Sequence, residues 1–358
     1  MDIFKSLLKE TGNDYAKSVS EGIEAGDVNN YIDTGSYMLN ALVSGSIFKG
    51  IPANKIITFA GEEATGKTYF VLGIIKKFLE TDPRAGVFYF ESESALTKDI
   101  ITNRGIDTKR MFAIPVSTIQ EFRTQALKIL NKYIETPEEE RQPIMMCLDS
   151  LGMLSTTKEV EDTAAGSETK DMTKAALIKG TFRVLTLKLG RANVPMLVTN
   201  HVYSGMSMYA GKEMSGGTGL KYSSSYVLYL SKSKEKDGTD VIGNVIHCKN
   251  EKSRLTIENK KTDVLLTYAE GLNKHYGLLK LAEQYGIFKR VGNRYELPDG
   301  TKLFADELNK NGEKHYTKEI LEEIDKAAAK EFLYGSDQLF VPEETEEPKK
   351  RSKKPIDD

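Results

Sequence analysis

Lys55-Ile56-Ile57-Thr58-Phe59-Ala60-Gly61-Glu62-Glu63-Ala64-Thr65-Gly66-Lys67-Thr68-Tyr69 is the stretch that decides the fold. Lys55 to Ala60 is a short, β-branched apolar run that reads as a buried strand, and Thr68 to Glu80 carries apolar residues three and four apart, as a helix does. Between them Gly61 to Thr68 fits G-x-x-x-x-G-K-[ST] in the strand–loop–helix context that pattern requires. Its glycines let backbone N–H groups close around phosphate oxygens, which also face the positive end of the following helix. Lys67 is expected to reach the β- and γ-phosphates and Thr68 to ligate Mg²⁺; Glu62, Glu63, Ala64, Thr65, Gly66 and Tyr69 complete the nucleotide-binding stretch.

Outward from this loop, Tyr31 to about Tyr268 alternates apolar runs with helical periodicity, the pattern of an α/β fold with a mostly parallel sheet flanked by helices. Further strands are expected at Gly86 to Phe90, Ile144 to Leu148, Pro195 to Thr199, Ser225 to Leu230 and Asn244 to Lys249, and helices at Ile119 to Tyr133 and Thr173 to Arg191. The domains drawn are residues 1–32, an N-terminal helix and linker; 33–271, the core; 272–335, a small α+β C-terminal domain with a turn at Tyr295 to Gly300; and 336–358, a disordered charged tail.

The 358 residues allow a substantial core. At 39% hydrophobic and 28% charged, the chain holds no run near the roughly 18 to 20 apolar residues of a membrane span, and its start lacks a secretory pattern. A cytoplasmic location is expected. Cys147 and Cys248 sit in strand-like apolar runs and read as buried free thiols, and the four histidines show no metal-ligand spacing. A net charge of −2 does not by itself point to nucleic acid, so any such site must be local.

A nucleotide site of this kind needs a carboxylate at the end of a neighbouring strand to hold Mg²⁺. Asp149, after Ile144 to Leu148, supplies one; a helix cap is the other reading of an aspartate there, and the upstream phosphate loop favours the metal role. Hydrolysis also needs a group to orient and deprotonate water, and Glu91 or Glu93, after Val87 to Phe90, stands at the same sheet edge. Spacing does not choose between them.

Thr34-Gly35-Ser36, the Gly61 to Thr68 loop, Glu93-Ser94-Ala95-Leu96, Leu148-Asp149-Ser150, Thr199-Asn200-His201, Gly216-Gly217-Thr218-Gly219-Leu220-Lys221-Tyr222 and Lys249-Asn250 fall in the order and spacing of the RecA family. The resemblance covers roughly residues 31 to 335, including a C-terminal segment at 278–333, and in its details is more similar to the UvsX-type recombinases of T-even bacteriophages than to bacterial RecA. It implies an ATP-dependent DNA recombinase acting in recombination, repair and recombination-dependent replication. Such a protein forms a helical homo-oligomeric filament on single-stranded DNA, pairs it with homologous double-stranded DNA, and works with a single-strand-binding protein and a loading mediator. For a phage chain the location is the host cytoplasm. By position Glu93 resembles the family's catalytic glutamate, Asp149 its Mg²⁺-associated aspartate, His201 its γ-phosphate sensor, and Lys249 a lysine reaching the neighbouring subunit's ATP. At the offset of the second such lysine stands Glu251, with Lys252 and Arg254 beyond, and where the family places an aromatic residue on adenine this chain has the neighbourhood of Ile100.

Two segments resemble the family's DNA-binding loops. The first, Ser155 to Thr173, is acidic, so contact is expected from Lys170, Met172 and Lys174, with Arg183 on the next helix. The second, Tyr203 to Lys221, offers Tyr203, Tyr209, Lys212, Gly216, Gly217, Thr218 and Lys221 for phosphate and stacking contacts. A ring helicase on the same core and a non-enzymatic paralogue are the rival readings. The 278–333 segment argues against the first, and intact Lys67, Thr68, Glu93 and Asp149 against the second.

Overall fold

The computed structural model describes residues 3–13, 16–23, 25–167, 171–204, 212–269 and 271–335; Lys170, Tyr209 and the 336–358 tail lie outside the described residues. Among these, ten strands form one sheet. Numbered along the chain they are β1 (Ile56–Gly61), β2 (Gly86–Glu91), β3 (Met111–Pro115), β4 (Ile144–Asp149), β5 (Met196–Ser204), β6 (Lys212–Met214), β7 (Tyr226–Asp237), β8 (Asp240–Ser253), β9 (Lys261–Thr267) and β10 (Gly271–Leu272). The order is β10-β9-β8-β7-β1-β5-β4-β2-β3, with β6 on β5. Neighbours from β7 to β3 are parallel, whereas β8, β9, β10 and β6 pair antiparallel.

Period-two alternation divides the core. Ile57, Phe59, Val87, Tyr89, Met145, Cys147 and Leu197 pack with Phe70, Val71, Ile74 and Ile75 of the helix Lys67–Thr81. The alternate residues Ile56, Phe90, Met146, Leu148, Met196 and Val198 pack with Phe122 and Leu130 of the helix Ile119–Glu135 and Phe182, Leu185 and Leu189 of the helix Lys174–Ala192. Covered on both faces, the central strands can be apolar at every position, which is how they read in the sequence. Each large apolar side chain so buried contributes about 1.5–3 kcal/mol.

Local signals set the helix ends. Thr118 and Glu121 form a capping box at the start of Ile119–Glu135, and Asn193 in the left-handed region closes Lys174–Ala192. Cys147 and Cys248 are free and buried, and burial pushes both thiols up from their ordinary value. Past the core, the helix Leu278–Gln284, the three strands Lys289–Val291, Arg294–Glu296 and Lys302–Leu303, and the helices Ala305–Lys310, Gly312–His315 and Lys318–Phe332 follow. Buried residues of this segment, from Leu278 to Phe332, belong to the same hydrophobic cluster as Leu39 and Leu42 of the helix Tyr37–Ser44.

Candidate nucleotide and DNA site

Because β1, β2, β4 and β5 run in one direction, their carboxyl ends meet at one sheet edge, where Gly61 stands opposite His201 and Glu91 opposite Asp149. Gly61 leads into the loop. A Cβ there would approach Thr65 Oγ1 to 2.6 Å and the Leu230 carbonyl to 2.8 Å, and Gly66 has φ +87°, so both positions require glycine. Lys67 is buried and its Nζ donates to the Gly61 and Glu62 carbonyls at 3.1 and 2.9 Å, the fold-back that leaves its ammonium over the loop. Burial pulls its pKa below the ordinary lysine value, opposed by the charges of Glu93, Asp149 and Glu63. At the loop's far side Lys232 Nζ donates to the Ala64 carbonyl at 2.7 Å.

Asp149 does not cap the next helix. Its Oδ2 accepts from Thr68 Oγ1 at 2.7 Å and from Tyr89 OH, and its Oδ1 accepts from Thr199 Oγ1. Thr68 and Asp149 thus put a hydroxyl and a carboxylate side by side, the hard oxygen pair that suits Mg²⁺ with waters completing its shell. Tyr89 carries no motif signal and reads as an ordinary core strand residue, and the Thr199-Asn200-His201 motif says nothing of a bond from Thr199 to Asp149.

The two glutamates separate by what they touch. Glu91 Oε1 accepts the Glu93 and Ala95 backbone N–H groups at 3.1 and 3.0 Å, which holds the turn where Ser94 takes φ +54°. Glu93 Oε1 instead accepts from Ser150 Oγ and lies 3.1 Å from His201 Nε2. Gly152 makes room for this pair, since a Cβ there would come within 2.8 Å of His201 Cδ2. Ser150 stands in the Leu148-Asp149-Ser150 motif, which assigns it no contact, and Gly152 carries no sequence signal.

The end of β5 ties the phosphate-loop edge of the sheet to the second segment expected to bind DNA. His201 O accepts from the Ser215 N–H at 2.9 Å, and Asn200 Nδ2 donates to the Ser215 carbonyl at 2.9 Å. Lys212 enters β6 and Tyr203 is 60% exposed; Gly216 and Gly217 both have φ +77°, and Thr218 precedes the short helix Gly219–Ser223. A Cβ on Gly216 would lie 2.5 Å from Ile178 Cδ1, so the second segment returns against the helix that follows the first. In the first segment the structure has a helix, Thr157–Ala164, where a loop was expected, because Thr156 and Glu159 form a capping box. Glu159 also pairs with Lys174 at 3.6 Å, while Asp171 accepts from Thr156 and Thr173; these acids hold the segment together. Met172 is 85% exposed and Arg183 is exposed.

Lys249 Nζ donates to Glu251 Oε2 at 2.7 Å, and Lys221 Nζ to Glu251 Oε1 at 3.0 Å. Lys252 and Arg254 are otherwise engaged: Lys252 Nζ donates to the Lys221 and Tyr222 carbonyls and Arg254 Nη2 to that of Tyr222, closing the end of the Gly219–Ser223 helix. Tyr69 and Ile100 line a cleft with Arg104 and Tyr268, the Arg104 guanidinium lying 3.8 Å from the Tyr69 ring centre. Among the described residues no helix is long and apolar enough to cross a membrane.

The RecA N-terminal domain family matches residues 4–273. The chain is 29% identical over 256 residues to the "Recombination and repair protein" of Enterobacteria phage T4, 72% of this chain and 64% of that protein, so it spans less than two thirds of that relative's length. It is 27% identical to "Protein RecA" of Malacoplasma penetrans (strain HF-2) over 335 residues, 89% of this chain and 95% of the relative, and 25% identical to "Protein RecA" of Thermotoga sp. (strain RQ2) over 250 residues. The matched range, residues 4–273, takes in the phosphate loop, the β2 and β4 carboxylates and the β5 histidine and covers most of the chain, and on that ground the chain belongs to the RecA family.

Proposed function

We propose that the chain is an ATP-dependent DNA recombinase that assembles as a filament on single-stranded DNA and pairs it with a homologous duplex. One observation carries the reading. Glu93, placed to take a proton from water, bonds His201, and the backbone of that histidine bonds Ser215, within the second DNA-binding segment. Nucleotide state and DNA contact thereby share one strand end. In this reading residues 33–271 are the ATPase core, 272–335 a small C-terminal domain, and 1–32 a subunit contact whose helix Ile3–Glu10 exposes Ile3 and Leu7.

The residues divide the chemistry. The loop N–H groups and Lys67 bind the β- and γ-phosphates, and Lys67 leaves the Gly61 and Glu62 carbonyls to do so. Thr68 and Asp149 would hold Mg²⁺, which when bound neutralises charge on the phosphate oxygens. Glu93 orients the attacking water and accepts its proton, with Ser150 fixing the carboxylate once His201 turns to the γ-phosphate; Glu91 shapes the turn and takes no part in the proton transfer. His201 donates to the γ-phosphate, and Lys249 reaches the phosphates of the neighbouring subunit's ATP. Loss of the γ-phosphate removes both contacts and shifts the filament toward weak DNA binding. DNA is held by Met172, Lys174, Arg183, Tyr203, Lys212, the Gly216 to Thr218 backbone and Lys221, together with Lys170 and Tyr209. Strand exchange breaks no covalent bond of DNA, and base pairing tests homology.

Imaging by electron microscopy on single-stranded DNA tests the reading. Helical filaments with a nonhydrolysable ATP analogue, and their loss without nucleotide, are expected; closed rings under both conditions would favour a helicase.

A further inference from the structure

We infer that Glu251 is a shared brake on phosphate binding, one carboxylate that occupies both Lys221 at the DNA segment and Lys249 at the nucleotide interface. The inference rests on the recombinase reading for what the two lysines meet. Three features lead to it. First, the Glu251 carboxylate spends one oxygen on each ammonium, at 3.0 and 2.7 Å, and its side chain is only 22% exposed, against 38% for Lys221 and 36% for Lys249. Second, the clamp is held in place. Lys252 on β8 and Arg254 just past its end bond the Lys221 and Tyr222 carbonyls, so the backbone carrying Lys221 is fixed beside the strand. A bulge between Asn250 and Lys252 lets residues so close in sequence serve both contacts. Third, the clamp is ionised at neutral pH: burial works to raise the Glu251 pKa, but the hydrogen bonds from Lys249 and Lys221 outweigh it.

A phosphate oxygen arriving at either lysine must therefore displace a carboxylate oxygen from it. Both lysines stay in the chain's inventory of cations while their availability is reduced, and affinity for DNA and for the neighbour's nucleotide is set below what the lysines alone would give. An uncharged amide of the same shape would leave the ammonium groups free for phosphate.

The test compares single-stranded DNA binding, by fluorescence anisotropy on a labelled oligonucleotide, for the parent, Glu251→Gln, Lys221→Ala, the double variant, and Glu139→Gln as an exposed-charge control. Without nucleotide, Glu251→Gln is expected to bind about two- to fivefold more tightly than the parent, the upper part of the range for releasing one weak, partly exposed ion pair. Its log affinity should fall more steeply with log salt by about 0.7, one further phosphate contact on a single strand. In the Lys221→Ala background the gain should shrink to under about twofold, and Glu139→Gln should show none. Parental affinity and salt slope in Glu251→Gln, a weaker affinity, or a full gain that survives Lys221→Ala would each overturn the brake while leaving the recombinase reading intact. A parent that binds no single-stranded DNA with an ATP analogue would remove that reading and the brake with it.

Discussion

If Glu93 is the base, as proposed, Glu93→Gln separates proton transfer from nucleotide binding, because the amide keeps the side chain's shape and loses the carboxylate. In the structure Glu93 Oε1 accepts from Ser150 Oγ and lies 3.1 Å from His201 Nε2, while the contacts described for the phosphate loop are made by Lys67, Thr68 and Asp149. A positioned general base is worth about 10² to 10⁴ in rate, or roughly 3 to 5 kcal/mol of activation free energy. Turnover should fall by that factor, nucleotide affinity should stay within a few fold, and filaments on single-stranded DNA should outlive the parent's. Glu91→Gln is the matched control. Its Oε1 holds the Glu93 and Ala95 N–H groups, a task an amide oxygen also performs, so turnover should drop by no more than a few fold. Steady-state ATPase rates with filament lifetimes decide it. A slow Glu91→Gln beside a Glu93→Gln of near-parental rate would refute the assignment of the base.

Lys67→Ala removes the buried ammonium over the loop and should abolish nucleotide-dependent DNA binding while the chain still folds, which equilibrium nucleotide binding and circular dichroism check together. Asp149→Asn should raise the Mg²⁺ concentration needed for half-maximal ATPase activity; an unchanged Mg²⁺ titration would take Asp149 out of the metal site. Phe122→Ala, at a fully buried ring 5.1 Å from Phe90, should cost about 3–5 kcal/mol in denaturant melts, and a loss under about 1 kcal/mol would show that the ring does not hold the helix Ile119–Glu135 to the sheet.

The sequence was most legible where both the motif and the burial were two-sided. β1, β2, β4 and the helices Lys67–Thr81, Ile119–Glu135 and Lys174–Ala192 lie within a residue or two of their expected ends, since a strand covered on both faces is apolar throughout. β3 was missed because it is an edge strand, with Phe112 exposed and stacked on Phe88. β7 and β8 run longer than read because their polar halves, from about Lys232 to Asn244, continue the hydrogen-bond ladder with no apolar run to announce it. At the site, the phosphate loop and Asp149 followed from residues and spacing. The choice of Glu93 over Glu91 did not, because it depends on which way the turn after β2 directs each carboxylate. The contacts of Tyr89, Thr199, Ser150 and Glu251 are made across strands or between segments far apart in the chain, and no local pattern encodes them.

The central claim is tested most directly by strand exchange between circular single-stranded DNA and a linear duplex, with and without ATP, using homologous and unrelated duplexes in parallel. Joint molecules that form only with ATP and only with the homologous duplex are predicted; unwinding of either duplex irrespective of homology, or no joint molecules despite ATP hydrolysis, would contradict the account.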